Sequence, residues 1–184
     1  MNQIDSKRLA IQIEKINIPD QPFRALIQYQ NLKDVYLRAI KVTPEGIKEA
    51  EGNQRFNRDQ WIAYYRKQTA VSEWQVSLPD DGDFHDHAVE IKMPKLELGK
   101  YIFLVGTSKD FSRKGNAATI AETWISNLGF VQKPADETGS GVYVFHRDAG
   151  NPLSGVSAQI YSPQFNSVKP VSYTHLTLPT KRIV

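Results

Sequence analysis

The sequence contains no cysteine, and this absence excludes several classes of chemistry. Disulfide frameworks, cysteine-ligated zinc sites, thiol catalysis and thioester formation all need a cysteine sulfur. No apolar run reaches the roughly 20 residues that a membrane-spanning helix requires. The formal net charge is only +3, and the basic residues are scattered among acidic ones. The charge pattern therefore gives little support to binding of nucleic acid or a membrane surface.

Motifs that indicate catalysis are missing as well. The sequence has no G-x-S-x-G nucleophile elbow, no phosphate-binding loop and no dinucleotide fingerprint. The adjacent carboxylates Asp80 and Asp81 lie in the stretch PDDG, which is typical of a turn rather than of an acid and base facing each other in a cleft. We therefore predict a protein that is not an enzyme and that binds no cofactor.

What the sequence does contain is a series of short segments in which apolar and polar residues alternate. Such a period of two is typical of β-strands, and turn residues separate the segments. Asn57 and Gln60 form the pattern of a helix capping box, so a short helix is expected within a long insertion at about 43–69. The predicted strands of this part are 7–18, 24–30, 34–42, 71–78, 88–93 and 101–107. Strands at this spacing, with one helical interruption, predict an all-β fold built of β-sandwiches.

The 184 residues suffice for one medium or two small domains. A polar, glycine-bearing stretch follows the last of these strands, so we predict a first domain over 1–110, a linker over 111–117 and a second domain over 118–170. Within the second, the two alternating runs of 141–161, GVYVFHRDAGNPLSGVSAQIY, are expected to pair as one β-hairpin. An extended segment is also expected at 119–130; three strands cannot close a sandwich core, so the second domain is predicted to be incomplete.

The end of the sequence differs from the body. The run VSYTHLTLPT at 171–180 resembles a translated sequencing adapter, although β-propensity alone would also allow a natural strand there. We expect 171–184 to be an artefactual tail and the chain to be a fragment of a longer protein. The first 15 residues show no apolar signal core, which fits either a cytoplasmic protein or a Met1 that is not the true start.

The stretch DFHDH is the strongest candidate for metal binding. Imidazole and carboxylate groups are ligands of zinc and other divalent metals, and Asp83, His85, Asp86 and His87 supply both. A metal-dependent hydrolase built on the two histidines is one hypothesis. A solvent loop after the PDDG turn explains the same residues without a metal, and we favour it.

Two further clusters allow a binding role or a structural one. The aromatic residues Trp61, Tyr64 and Tyr65 have helical spacing, which suits either a ligand-stacking platform or packing against the protein's own sheet, and packing is favoured. The group from His146 to Asp148 follows a predicted strand, where a solvated ion pair is the usual arrangement.

Several segments together resemble the N-terminal part of bacterial alpha-2-macroglobulin-like proteins, above all the large ones of Bacteroidetes. The similar segments are YQNLKDVYLRAIKV (29–42), SEWQVSLPDDGDFHDHAVEIKMPKLELGKYIFLVGTS (72–108), ETWISNLGF (122–130) and the run at 141–161. In that family a string of macroglobulin β-sandwiches carries a protease-sensitive bait segment and often a cysteine thioester. No functional residue transfers to this chain, since neither a cysteine nor an identifiable bait is present.

The resemblance implies a non-catalytic scaffold within a protease-trapping inhibitor of the bacterial envelope, periplasmic or envelope-anchored in the full-length protein. The implied partners are further macroglobulin domains of the same polypeptide and, indirectly, target proteases. No nucleic acid and no membrane insertion of this segment are expected. The alternative is a carbohydrate-binding or adhesin-type sandwich that uses the aromatic insertion around Trp61.

Overall fold

A computed structural model describes residues 7–43, 46, 56–79, 82–113, 115–136, 139–160 and 169–172. The chain divides into two compact units, Met1–Ser126 (unit 1) and Asn127–Val184 (unit 2). Among the described residues, no helix is both long enough and apolar enough to cross a membrane.

Unit 1 is a β-sandwich with a helix packed on one of its sheets. Its elements are β1 (Arg8–Ile13), β2 (Ile16–Asn17), β3 (Arg24–Gln30), β4 (Asp34–Val42), α1 (Arg58–Tyr65), β5 (Ser72–Ser77), β6 (His87–Lys92), β7 (Gly99–Gly106) and β8 (Ala118–Ile125). One sheet has the order β1-β3-β6, and the other has the order β2-β8-β7-β4-β5. β2 runs parallel to β8, and the other pairs are antiparallel. The predicted all-β sandwich class is confirmed.

The main core of unit 1 lies between the two sheets. Buried side chains alternate along β3, where Ala25, Ile27 and Tyr29 point inward. From the opposite sheet, Phe103 meets the ring of Phe23 edge-to-face at a centroid distance of 6.1 Å. Because strand side chains alternate between faces, the hydrophobic pattern fixes which face of each sheet turns inward.

β7 differs from the other strands because both of its faces are buried. Phe103 points into the sandwich core, whereas Ile102 and Leu104 belong to a second apolar cluster that includes Ile62 and Tyr65 of α1. The sequence of a strand buried on both faces is a continuous apolar run instead of alternating apolar and polar residues. The segment YIFLV of β7 is such a run. Unit 1 therefore has three layers, with the five-stranded sheet in the middle.

The predicted capping box of α1 is confirmed. Asn57 Oδ1 accepts a hydrogen bond from the backbone N–H of Gln60 at 3.0 Å, and Gln60 Oε1 accepts one from the backbone N–H of Asn57 at 2.8 Å. At the other end, Arg38 of β4 donates from Nη1 to the carbonyl oxygen of Arg66 at 2.7 Å. Its guanidinium also pairs with Glu73 at 2.7 Å and lies 5.0 Å from the ring centroid of Phe111. Arg38 thus satisfies a free carbonyl at the helix end and ties the helix to the sheet.

A buried polar network holds the connection from β1 to β2 against β8. Asn17 Nδ2 donates to Thr123 Oγ1 at 3.0 Å and to the carbonyl oxygen of Glu14 at 3.1 Å. The Thr123 hydroxyl donates to the same carbonyl at 2.7 Å. Asn17 and Thr123 are both buried, so the network pairs polar groups that would otherwise be costly to bury.

We expect Thr123→Val to lower the free energy of unfolding by about 1–3 kcal/mol. Valine keeps the shape of threonine but leaves the Glu14 carbonyl and the Asn17 amide with one partner fewer, and a buried polar group that loses its partner costs about this much. Urea unfolding followed by tryptophan fluorescence measures the change. Thr69→Val is the matched control, because Thr69 is exposed and should shift stability by less than about 0.5 kcal/mol. Equal effects of the two substitutions would contradict the prediction.

The predicted domain boundary is wrong in position. β8 pairs with β7 along its whole length: Ala118 lies opposite Gly106 at one end, and Ile125 lies opposite Gly99 at the other. Ile125 of β8 also lies in the main core. β7 is therefore not the last strand of the first domain, and the expected linker 111–117 is a loop inside unit 1. The division falls between Ser126 and Asn127. A polar, glycine-bearing loop between two strands of one sheet has the same composition as a linker.

Unit 2 corrects the predicted hairpin of 141–161. Its strands are β9 (Leu128–Asp136), β10 (Gly139–His146), β11 (Ser157–Ile160) and β12 (Lys169–Ser172), and they form the antiparallel pairs β9–β10 and β11–β12. β10 does not pair with β11. Its second edge is used by the turn that follows, because the backbone N–H of His146 donates to Asn151 O at 2.8 Å and that of Leu153 donates to Val144 O at 3.0 Å.

Gly129 explains the register of the β9–β10 pair. It lies opposite Phe145, and a Cβ at position 129 would stand 2.4 Å from Cε2 of the Phe145 ring. The absent side chain thus leaves room for the ring to cross onto the neighbouring strand.

Of the expected artefactual tail, Val171 and Ser172 lie in β12, whereas 173–184 lies outside the described residues.

Candidate functional site

The loop between β5 and β6 borders a cleft of about 310 Å³ at one end of unit 1. Its lining includes four rings, those of Tyr29, Phe84, His85 and His87, and the polar residues Asn31, Lys33 and Asp83. Three of the four residues that the sequence offered as metal ligands therefore lie at this cleft. The fourth, Asp86, forms an exposed ion pair with Arg8 at 3.4 Å instead.

Asp83 organises the loop. Its Oδ1 accepts a hydrogen bond from the backbone N–H of His85 at 3.0 Å and lies 2.8 Å from Nε2 of His87. Its other oxygen, Oδ2, lies 3.2 Å from Nδ1 of His85. The His87 ring lies over Tyr29 with centroids 5.5 Å apart, and the Tyr29 hydroxyl donates to the carbonyl oxygen of Pro79 at 2.6 Å. One carboxylate thus holds both histidines.

These contacts lower the pKa of Asp83 to about 2. The largest cause is the hydrogen bond from the His85 backbone N–H, followed by the contact with the His87 side chain, since both favour the charged carboxylate. Asp83 is therefore an ionised acceptor throughout the neutral and mildly acidic range.

We expect the carboxyl carbon of Asp83 to titrate in NMR with a midpoint near pH 2, not near the ordinary value of about 3.9. Because the folded-state pKa is depressed, the contribution of these contacts to loop stability is present above pH 4 and is lost as the pH falls toward 2. His87→Ala should raise the midpoint. His85→Ala is the matched control, since it keeps the backbone donor and should raise the midpoint less. A wild-type midpoint near 3.9 would contradict the assignment.

The cluster does not have the arrangement of a metal site. Within the described part of the chain, no group of three or more histidine, cysteine or acidic side chains is placed to hold a metal ion. Both carboxylate oxygens of Asp83 lie against imidazole nitrogens. The geometry is that of a loop clamp, and it gives the hydrolase hypothesis no support.

Phe84 is the residue of this loop that sequence reasoning missed. Its side chain is 55% exposed, and its backbone has the left-handed φ of 60°, which non-glycine residues rarely adopt. The available signal was a lone aromatic residue in a polar loop, directly after PDDGD.

The aromatic residues of α1 pack rather than form an open platform. Trp61 stacks on Tyr65 at a centroid distance of 5.6 Å and meets Tyr64 edge-to-face at 6.1 Å. Tyr65 is buried, and the other two rings pack against the same apolar cluster. The packing interpretation is confirmed, and the carbohydrate platform around Trp61 loses its main support.

The group at His146 stabilises a turn. The imidazole Nδ1 of His146 lies 3.4 Å from the backbone nitrogen of Ala149, which donates to it, and the backbone N–H of Gly150 donates to the His146 carbonyl at 2.8 Å. Gly150 has a φ of 68°, the left-handed conformation that suits glycine in turns.

Comparison with solved structures identifies a similar architecture. A crystal structure of native alpha-2-macroglobulin from Escherichia coli spanning domains MG0-NIE-MG1 matches with a TM-score of 0.64 at 11% identity, over 90% of this chain and 54% of that one. A second, spanning domains NIE-MG1, matches with a TM-score of 0.61 at 9% identity, over 91% of this chain and 83% of that one. The fold resembles that of bacterial alpha-2-macroglobulin.

The alpha-2-macroglobulin likeness confirms, at the level of fold, the resemblance inferred from the sequence. The chain spans about half the length of the MG0-NIE-MG1 fragment. No family model and no curated protein sequence matches it. At identities of 9–11%, only the fold transfers.

Proposed function

We propose that this chain is part of an alpha-2-macroglobulin-like protease-trapping inhibitor of the bacterial envelope, in which it serves as a non-catalytic scaffold. The observation that carries the proposal is the structural match to E. coli alpha-2-macroglobulin over 90% of the chain. The likeness to the Bacteroidetes proteins and a periplasmic or envelope-anchored location belong to the same proposal.

The packing of unit 1 supports a scaffold role. Its central strand β7 is buried on both faces, so the two sheets and the helix are held as one body. Large buried apolar areas of this kind favour rigidity over local opening. The proposed partners are further macroglobulin domains of the same polypeptide, and contact with target proteases is indirect.

The test compares this chain with the complete gene product. The complete product should form a complex with trypsin that migrates as one species on a native gel, and its gene should encode further sandwich domains and a bait segment beyond position 170. The 184-residue chain alone, as the matched control, should leave casein hydrolysis by trypsin unchanged. Inhibition by this chain alone, or a gene without further sandwich domains, would overturn the proposal.

A further inference from the structure

We propose that the cleft beside Phe84 binds a neutral saccharide ring, with Phe84 as its stacking surface. The first argument is the backbone strain and the solvent exposure of Phe84. A non-glycine residue in the left-handed region is strained, and more than half of the Phe84 side chain stays exposed to solvent, where it adds nothing to burial. The exposed part of the ring does not stabilise the fold, so its placement is better explained by binding.

The second argument is that the backbone carrying the ring is held in position. The Phe84 carbonyl accepts a hydrogen bond from Nε2 of Gln30 at 2.5 Å, and Asp83 and His85 are joined on either side of it. Holding a binding group before the ligand arrives reduces the entropy lost on binding. The backbone of Phe84, a residue of the cleft lining, is therefore fixed before a ligand binds.

The third argument is the mixture of charges around that ring. Asp83 is an ionised acceptor whose low pKa disfavours an anionic ligand, whereas Lys33 in the lining disfavours a cationic one. His85 is 80% exposed and adds an imidazole at the rim. A ligand that offers hydroxyl donors and acceptors together with an apolar face fits this set, and a sugar ring has both.

The size of the cleft agrees with such a ligand. Its volume of about 310 Å³ lies at the lower end of the range of roughly 300–1,000 Å³ for small-molecule sites. Tyr29 and Leu32, which are both buried, supply an apolar floor. The cleft can hold a small ligand, and the exposed Phe84 ring suits one sugar face.

Saturation-transfer NMR on the whole chain tests this proposal with glucose, galactose, mannose and N-acetylglucosamine at millimolar concentration. At least one sugar should receive saturation at its ring C–H protons. Phe84→Ala should weaken its binding about tenfold or more, which corresponds to about 1.4 kcal/mol. Asp83→Asn should also weaken it, because an amide has one acceptor oxygen and cannot hold both histidines of the loop that carries Phe84. Circular dichroism spectra should show that both variants are folded.

Val71→Ala is the matched control, since Val71 is an apolar residue of unit 1 that is 53% exposed and lies outside the cleft lining. It should leave binding unchanged. The proposal is overturned if no sugar receives saturation from the wild-type chain, or if binding survives Phe84→Ala. It is also overturned if Trp61→Ala alone abolishes binding, because the site would then lie at α1.

Discussion

Phe103→Ala is expected to lower the free energy of unfolding of unit 1 by about 3–5 kcal/mol, the usual cost of truncating a buried phenylalanine. Phe103 is completely buried at the centre of β7. Its ring meets Phe23 and Trp74 edge-to-face, at centroid distances of 6.1 and 6.3 Å. The substitution leaves a cavity between the two sheets and removes both aromatic contacts, each of which contributes beyond simple burial.

Urea unfolding measured by intrinsic fluorescence tests this expectation, since Trp61, Trp74 and Trp124 all lie in unit 1. Phe84→Ala is the matched control, because it removes the same ring from an exposed position of the same unit. Its effect should stay within about 0.5 kcal/mol. A Phe103→Ala loss below about 1 kcal/mol would mean that the sandwich core is not packed around this ring.

The strands of unit 1 could be predicted from the sequence because local patterns determine them. Burial in the structure follows the period of two along β3 and β5, and the capping box between Asn57 and Gln60 marked the start of α1. Each of these features depends on residues that are close in sequence, so the pattern is visible without knowledge of the fold.

The pairing of strands could not be predicted in the same way. β10 was expected to pair with the run that follows it, yet it pairs with β9, which precedes it. In the structure, Phe145 fits over Gly129, which lies sixteen positions away along the chain. Cross-strand fit is a tertiary property, and an alternating pattern alone does not name the partner strand.

The candidate site was predicted in part. Asp83, His85 and His87 do come together, but the carboxylate links the histidines instead of leaving them open to a metal. Phe84 escaped notice because its importance lies in its exposure and backbone angle. Neither property can be read from residue type.

Leu104→Ala should lower the free energy of unfolding by about 2–5 kcal/mol, although its side chain points away from the sandwich core. Leu104 is completely buried in the cluster beneath α1, with Ile62 and Tyr65 as neighbours in that cluster. The neighbouring residue Phe103 faces the other layer. Comparable losses at two successive positions of one strand are expected only where both faces of that strand are buried.

Leu98→Ala is the matched control, since Leu98 directly precedes β7 and is 53% exposed. It should change stability by less than about 0.5 kcal/mol. Near-ultraviolet circular dichroism adds a second measurement, because the Trp61, Tyr64 and Tyr65 rings contact one another on α1. If Leu104→Ala loses that aromatic signal at urea concentrations below those that unfold unit 1, α1 detaches before the sandwich unfolds. An unchanged stability would mean that the helix layer adds nothing to unit 1, and that β7 is held by the sandwich alone.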